Sequence, residues 1–187
     1  MRLLRVLRMA ATTVAATATG LINCAVGRGD SHPVQLKAGD PAPDFALPGS
    51  DGHRYRLNDL RGRDAAVIAW FPKAFTPGCT KECESLGSNG AELGQFRVRY
   101  FGANVDTPET NRGFATSLGI DYPILSDPDR NVARAYGVIG ASGFPSRWTF
   151  YIGTDGRILE IDKHVQVSTH GKDVAARLTE LGVPRQA

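Results

Sequence analysis

The chain has 187 residues, of which 42% are hydrophobic, a length that is sufficient for one well-formed core and short for two domains. The formal net charge is +3, and residues 1–30 account for all of it, with four arginines against one aspartate. The rest of the chain is neutral, and it shows no basic patch of the kind that a nucleic-acid-binding domain is expected to carry.

Residues 1–26 have the layout of an export signal. Three arginines lie among the first eight residues, and an uncharged stretch rich in Ala, Val and Thr follows over residues 9–20. This stretch is too short and too mildly apolar for a transmembrane helix, and Ala16-Thr17-Ala18 offers a small-residue cleavage site. We therefore predict a signal peptide and linker over residues 1–30 and a periplasmic or secreted product.

The three cysteines are Cys24, Cys79 and Cys83. Residues 21–24 resemble a lipobox, so a lipoprotein anchored through Cys24 is one alternative to a released product. A start that is not cleaved, or that is wrongly assigned, is the other. Three cysteines are few for an exported protein stabilised by disulfides. Cys79 and Cys83 are only four residues apart, and a bridge between them would close almost no loop. A redox role explains this pair better than a structural one.

After residue 36, strands and helices alternate. An uninterrupted apolar run at 65–71 is typical of a strand buried on both faces, and Thr107-Pro108 is typical of a helix start. The pattern predicts an α/β sandwich with helices on both faces of the sheet, in one domain over residues 36–184. In chain order, the predicted strands are 45–47, 55–57, 65–71, 98–105, 123–125, 147–152 and 158–164, and the predicted helices are about 80–94, 108–119, 127–136 and 171–181.

Cys79 lies where the buried strand 65–71 gives way to a helix. A helix N-terminus presents unpaired backbone N–H groups and the positive end of the helix dipole. Both favour the thiolate, which is the reactive form of cysteine. The position is therefore suited to a nucleophile.

The loop before that helix carries a family pattern. Pro72, Thr76 and Cys79 match the Pro-x-x-x-Thr-x-x-Cys active-site loop of the peroxiredoxins, and Thr-Pro-Gly-Cys-Thr-Lys-Glu resembles the bacterioferritin-comigratory-protein branch, also called peroxiredoxin Q. The resemblance covers about residues 36–182. It implies a thioredoxin-like fold with a central mixed sheet and an N-terminal β-hairpin, in a monomer or homodimer. It also implies an antioxidant enzyme that reduces hydrogen peroxide and organic hydroperoxides without cofactor or metal, and that is reset by thioredoxin or another thiol.

In this interpretation Cys79 attacks the peroxide and becomes a sulfenic acid. The backbone N–H groups of Gly78 and Cys79 donate to the substrate, and the Thr76 hydroxyl can donate and accept at once. Thr76 as an ordinary N-cap is the alternative for that residue. The resemblance further implies that Pro72 shields the sulfur from water.

The resemblance also assigns a cation. Arg147, within Pro145-Ser146-Arg147-Trp148, matches the family's catalytic arginine, and Glu82 matches the acidic residue that holds it. A guanidinium stays charged and presents a planar fork of donors. Without the resemblance, an arginine at the start of a strand would be interpreted as a solvated charge.

Cys83 departs from the branch pattern, in which a resolving cysteine often lies five residues after the first. Four residues of helix rise about 6 Å, within the span of a disulfide, but the bond requires the first turn to fray. Gly78, Gly87 and Gly90 make such fraying easier. Our hypothesis is that Cys83 resolves Cys79 after local unwinding. The alternative is that Cys83 stays packed and an external thiol reduces Cys79 directly.

Two other classes of protein share part of this pattern. Cys-x-x-x-Cys on a thioredoxin-like scaffold also resembles the Sco-type copper proteins, because two thiolates suit Cu(I). That class needs a histidine from a distant loop. His164 is predicted at the end of the last strand and His170 in the loop after it, and both positions are expected to be solvated. The other histidines are His32 and His53. A disulfide reductase of the thioredoxin type would need Trp-Cys-x-x-Cys, which is absent. Phe75, Phe144 and Trp148 are predicted to shape the substrate pocket.

Overall fold

A computed structural model describes residues 34–186, so the predicted signal segment and Cys24 lie outside the described residues. A five-stranded mixed sheet in the order β5-β4-β3-β6-β7 forms the centre, and β1 and β2 form a separate hairpin. The strands are β1 (Ala46–Pro48), β2 (Arg54–Arg56), β3 (Ala65–Trp70), β4 (Val98–Asn104), β5 (Ile124–Ser126), β6 (Trp148–Ile152) and β7 (Ile158–Asp162). The helices are α1 (Pro77–Ser88), α2 (Gly90–Leu93), α3 (Pro108–Leu118), α4 (Asn131–Ala135) and α5 (His170–Glu180), with a 3₁₀ helix at Leu57–Leu60.

The central strand β3 is buried on both faces, as its apolar run predicts. Its odd-numbered residues, such as Val67, pack with α1, α2, α3 and α5, and its even-numbered residues, such as Ile68, pack with the hairpin region and α4. Strands β4 and β5 run parallel to β3, whereas β6 is antiparallel to it. The predicted α/β sandwich with a central mixed sheet, helices on both faces and an N-terminal hairpin is confirmed. No helix within residues 34–186 is long and apolar enough to cross a membrane.

Two predicted helices differ from those observed. The helix predicted over 80–94 begins earlier, at Pro77, and is broken at Asn89 into α1 and α2. The helix predicted over 127–136 is reduced to α4, because Arg130 adopts a left-handed backbone conformation (φ 60°) that cannot continue a helix. Asp127 instead accepts a hydrogen bond from the backbone N–H of Ala133. The helix predicted at 108–119 is confirmed, with Thr107 as its N-cap and a left-handed Gly119 at its end.

Helices α1 and α5 pack closely at Gly171. A Cβ added to Gly171 would lie 2.3 Å from the Ser85 carbonyl oxygen, which is a backbone atom and cannot move aside alone. We expect Gly171→Ala to lower the free energy of unfolding by about 1–3 kcal/mol, as overpacking does, despite the better helix propensity of alanine. Urea unfolding measures this. Gly140→Ala is the matched control, since a Cβ there meets nothing within 4 Å, and a Gly171→Ala variant as stable as this control would contradict the expectation.

Candidate active site

Cys79 is the third residue of α1 and is only 1% exposed. The chain leaves β3 at Trp70 and enters α1 at Pro77, so the loop sets the sulfur at the carboxyl end of the central strand. The first hydrogen bond of the helical type runs from Thr80 N–H to the Thr76 carbonyl at 2.9 Å. The N–H groups of Gly78 and Cys79 precede it and are therefore free of partners within the helix.

The sheet register brings Arg147 to this loop. Strand β6 is antiparallel to β3 and pairs Trp148 with Trp70, so Arg147, one residue earlier, lies level with the start of the loop. Its Nη2 donates to the Cys79 sulfur at 3.3 Å. A guanidinium at this distance stabilises a thiolate by a charge-assisted hydrogen bond. The structure thus brings together two residues that are 68 positions apart in the sequence.

Glu82 lies one turn after Cys79 in α1 and is 1% exposed. One carboxylate oxygen, Oε2, forms an ion pair with Nη1 of Arg147. The other, Oε1, lies 3.4 Å from Nδ1 of His170. Cys79 and Glu82 therefore engage different nitrogens of one guanidinium.

His170 is the site residue that the sequence analysis missed. The predicted solvated loop position is wrong: His170 is the first residue of α5 and is 1% exposed. Its Nε2 lies 2.9 Å from the buried Thr149 hydroxyl. Burial lowers the pKa of His170 to about 4, against the raising effects of Asp162 and Asp173, so the imidazole is neutral at pH 7. No local pattern in the sequence signals this position, because each contact comes from a different element.

Thr76 occupies the N-cap position of α1, but its side chain makes no capping hydrogen bond. Its hydroxyl instead donates to the Lys73 carbonyl at 3.0 Å, which leaves the oxygen lone pairs free to accept. Pro72 is half-buried at the start of the loop. The Asp106 carboxylate accepts from the Ala74 N–H at 2.8 Å and anchors the loop, a contact that the sequence did not indicate.

Cys83 is 2% exposed and, like Cys79, is a free thiol. Burial raises the pKa of the Cys83 thiol to about 12. The Tyr122 hydroxyl donates to the Cys83 carbonyl at 3.1 Å and ties this part of α1 to the chain before β5. In this conformation Cys83 is therefore a packed thiol and not an ionised one.

Aromatic side chains are exposed near the loop. Phe75 is 59% exposed with a left-handed backbone (φ 59°), and it packs edge-on against Phe114. Phe144 is 41% exposed, with the Lys73 ammonium 5.7 Å from its ring. Trp148 lines a cavity of about 540 Å³ to which Cys79, Phe75 and Phe144 do not contribute. That Trp148 shares a substrate pocket with the two phenylalanines stays a prediction.

The described residues contain no group of three or more His, Cys, Asp or Glu side chains placed to hold a metal ion. His170 faces Glu82, and the Cys79 sulfur faces the cationic Arg147. His32 lies outside the described residues. A guanidinium against the sulfur disfavours a metal cation at the same atom, so the arrangement does not favour the copper alternative.

The fold and the site define a class: a thiol-based redox protein with its cysteine at a helix N-terminus and an arginine on the sulfur. Comparison with known proteins gives the same class. The sequence model of the AhpC/TSA family matches residues 38–161. "Peroxiredoxin Bcp" of Escherichia coli K12 is 36% identical over 142 residues, which cover 72% of this chain and 90% of that protein.

Solved structures agree as well. "Peroxidoxin BcpB" from Mycobacterium tuberculosis matches with a TM-score of 0.71 at 33% identity, covering 78% of this chain and 98% of that one. A Xanthomonas campestris bacterioferritin comigratory protein, whose alkyl peroxide reduction activity was studied, matches with a TM-score of 0.68 at 26% identity, covering 73% and 90%. This chain belongs to the AhpC/TSA family, and its structural neighbours confirm the predicted thioredoxin-like peroxiredoxin fold.

Proposed function

We propose that this chain is a thiol-dependent peroxidase that reduces hydrogen peroxide and organic hydroperoxides at Cys79. The observation that carries the proposal is the 3.3 Å contact from Arg147 Nη2 to the Cys79 sulfur, next to the free N–H groups at the start of α1. A thiolate, a fixed cation and two free donors are what the reaction needs at one place.

In the first step the Cys79 thiolate attacks one peroxide oxygen. An S–O bond forms as the O–O bond breaks, sulfur is oxidised to sulfenic acid, and the other oxygen leaves as water or alcohol once protonated. Arg147 and the N–H groups of Gly78 and Cys79 donate to the oxygens on which negative charge develops. The Thr76 oxygen, whose hydrogen is held by the Lys73 carbonyl, accepts from the peroxide O–H.

In the second step Cys83 condenses with the sulfenic acid. An S–S bond forms between Cys79 and Cys83, water is released, and a thioredoxin-like dithiol then reduces the disulfide. The closeness of the two thiols in α1 supports this route. The burial of Cys83 and its high pKa mean that the helix must open before Cys83 can ionise and react.

The hydrogen bond from Tyr122 to the Cys83 carbonyl opposes that opening. We expect Tyr122→Phe to accelerate disulfide formation about fivefold, because removing one hydrogen bond of about 1 kcal/mol raises the population of the opened helix by that factor. Stopped-flow tryptophan fluorescence after one equivalent of peroxide resolves the step from the initial oxidation. Tyr100→Phe is the matched control, since Tyr100 packs on Tyr122 with ring centroids 5.3 Å apart. A slower or unchanged step in Tyr122→Phe would contradict this role.

The function is tested by peroxide consumption with a thioredoxin system, combined with trapping of the sulfenic acid by a dione reagent and mass mapping. The proposal requires turnover and a single trapped adduct on Cys79. An adduct elsewhere, or a reduced protein after excess peroxide, would refute it.

We also propose that the enzyme acts outside the cytoplasm, as a periplasmic or secreted monomer or homodimer. The support is the sequence of residues 1–26, with its early arginines, uncharged stretch and small-residue cleavage site. The mass of the protein recovered from the periplasm of an expressing bacterium tests export and cleavage together. A lipid adduct on Cys24 would favour the anchored alternative, and an uncut chain in the cytoplasm would refute both.

A further inference from the structure

We propose that His170 is a positioning residue for the reaction at Cys79, acting through Glu82. Its imidazole Nδ1 is directed at one oxygen of the Glu82 carboxylate, 3.4 Å away, so that Arg147 binds the other oxygen through Nη1 alone and keeps Nη2 on the sulfur. The expected effect on the rate of peroxide reduction rests on the proposed peroxidase function. The expected effect on the reactivity of the Cys79 thiolate does not.

The Thr149 hydroxyl determines which imidazole nitrogen carries the hydrogen. Thr149 is fully buried, and its hydroxyl lies 2.9 Å from Nε2 of His170. A buried hydroxyl hydrogen needs an acceptor, and Nε2 serves as one when it is unprotonated. The hydrogen of the neutral ring is then on Nδ1, which faces Glu82 Oε1 at 3.4 Å. The opposite tautomer would direct a lone pair at a buried carboxylate oxygen, which is unfavourable.

The contact of His170 with Oε1 of Glu82 matters because of how arginine pairs with a carboxylate. Arginine and carboxylate groups pair readily through two parallel N–H···O bonds. In this site such a bidentate pair would take both terminal nitrogens of Arg147 and remove Nη2 from Cys79. Nδ1 of His170 lies 3.4 Å from Oε1, longer than a formed hydrogen bond, and neither atom has a hydrogen-bond partner within the described residues. In the proposed arrangement the Nδ1–H is directed at Oε1, so that Glu82 offers Arg147 only Oε2 and the guanidinium is shared between carboxylate and sulfur.

The surroundings of the ring keep it neutral. Glu82 faces it from α1, Thr149 from β6 and Arg147 from the residue before β6, and Asp162 of β7 and Asp173 of α5 also act on its charge. Burial lowers the pKa of His170 more than Asp162 and Asp173 raise it. A positively charged ring would compete with Arg147 for Glu82, whereas a neutral one only orients the carboxylate.

The test compares His170→Leu, which removes the donor, with His170→Asn, whose amide NH₂ can take the place of Nδ1–H. Second-order oxidation of Cys79 by peroxide and its alkylation by iodoacetamide at neutral pH are both measured. We expect His170→Leu to slow both about tenfold or more, because a charge-assisted hydrogen bond to the sulfur is weakened. His170→Asn should stay within about threefold of the wild type, since one donor to Oε1 is enough to hold the carboxylate.

The control is Val174→Ala, a truncation of a fully buried residue one turn further along the same helix, whose apolar side chain makes no hydrogen bond or ion pair with Cys79, Glu82 or Arg147. It is expected to lower stability while leaving both rates unchanged. Equal losses in His170→Leu and His170→Asn, or a wild-type rate in His170→Leu, would overturn the proposal. Because alkylation needs no peroxide, a chain without peroxidase activity but with this alkylation pattern would refute the function and retain the role of His170.

A second measurement needs no variant. Nitrogen-15 NMR of the histidine-labelled wild-type protein reports the protonation of each ring nitrogen. We expect the His170 ring to be neutral with its hydrogen on Nδ1 at neutral pH. A hydrogen on Nε2, or a charged ring, would overturn the proposal even if the variants failed to fold.

Discussion

Cys79→Ser is expected to abolish peroxide reduction, whereas Cys83→Ser should oxidise once at the wild-type rate and then recycle poorly. Serine at 79 cannot form a sulfenic acid, and its hydroxyl is not ionised at neutral pH, so the site loses its nucleophile. Serine at 83 leaves Cys79, Arg147 and the helix start in place, so the first turnover needs nothing that the variant lacks.

The measurement is stopped-flow oxidation followed by steady-state turnover with a thioredoxin system. Peptide mapping without reductant, after one equivalent of peroxide, completes it. A linked peptide joining Cys79 and Cys83 is expected in the wild type. If the linked peptide were absent and Cys83→Ser recycled normally, Cys83 would not be the resolving residue. An external thiol would then reduce Cys79 directly. Peroxidase activity in Cys79→Ser would end the proposed function altogether.

Arg147→Gln is expected to lower the rate constant of Cys79 oxidation by about 10²–10³-fold, the size of effect seen when one preorganised donor is removed from a charge-developing site. The loss combines a weaker thiolate with a missing donor to the peroxide oxygens. The substitution also leaves the buried Glu82 carboxylate without its cation, which costs about 3–5 kcal/mol of stability. Stopped-flow kinetics and urea unfolding separate the two effects.

The double variant Arg147→Gln/Glu82→Gln is the matched control. It removes the unpaired charge, so most of the lost stability should return, while oxidation stays as slow as in Arg147→Gln. If the double variant recovered the rate as well, the single substitution would have acted through misfolding and not through loss of the cation at the sulfur.

The sequence predicted the parts of this site whose residues are neighbours in the chain. It did not predict the contacts that form only when distant segments pack together. The apolar run of β3 and the Pro72, Thr76 and Cys79 spacing lie in one short stretch, so strand, loop and helix start could all be predicted there. Arg147 could be assigned only through the family resemblance, because its place depends on the pairing of Trp148 with Trp70 across the sheet.

His170 and Asp106 carried no such signal. A histidine before a helix and an aspartate after a strand are ordinary surface residues by composition. Their importance comes from which backbone or side chain they meet: Glu82 and Thr149 for His170, and the Ala74 N–H for Asp106. The helix predicted at 127–136 was too long for a related reason, since the left-handed Arg130 is not visible in a hydrophobic pattern.

The anchor at Ala74 and the packing of α5 on α1 have a consequence for hydrogen exchange. Asp106 holds the loop before the cysteine, and the Gly171 N–H donates to the Ser85 hydroxyl after it. We expect residues 75–84, which lie between these two contacts, to open as one unit while the sheet remains closed. Amides of the first turns of α1 should thus exchange by subglobal opening, at a rate that rises when sulfur is oxidised. The amides of α1 from Leu86 to its end should exchange only when the whole domain unfolds.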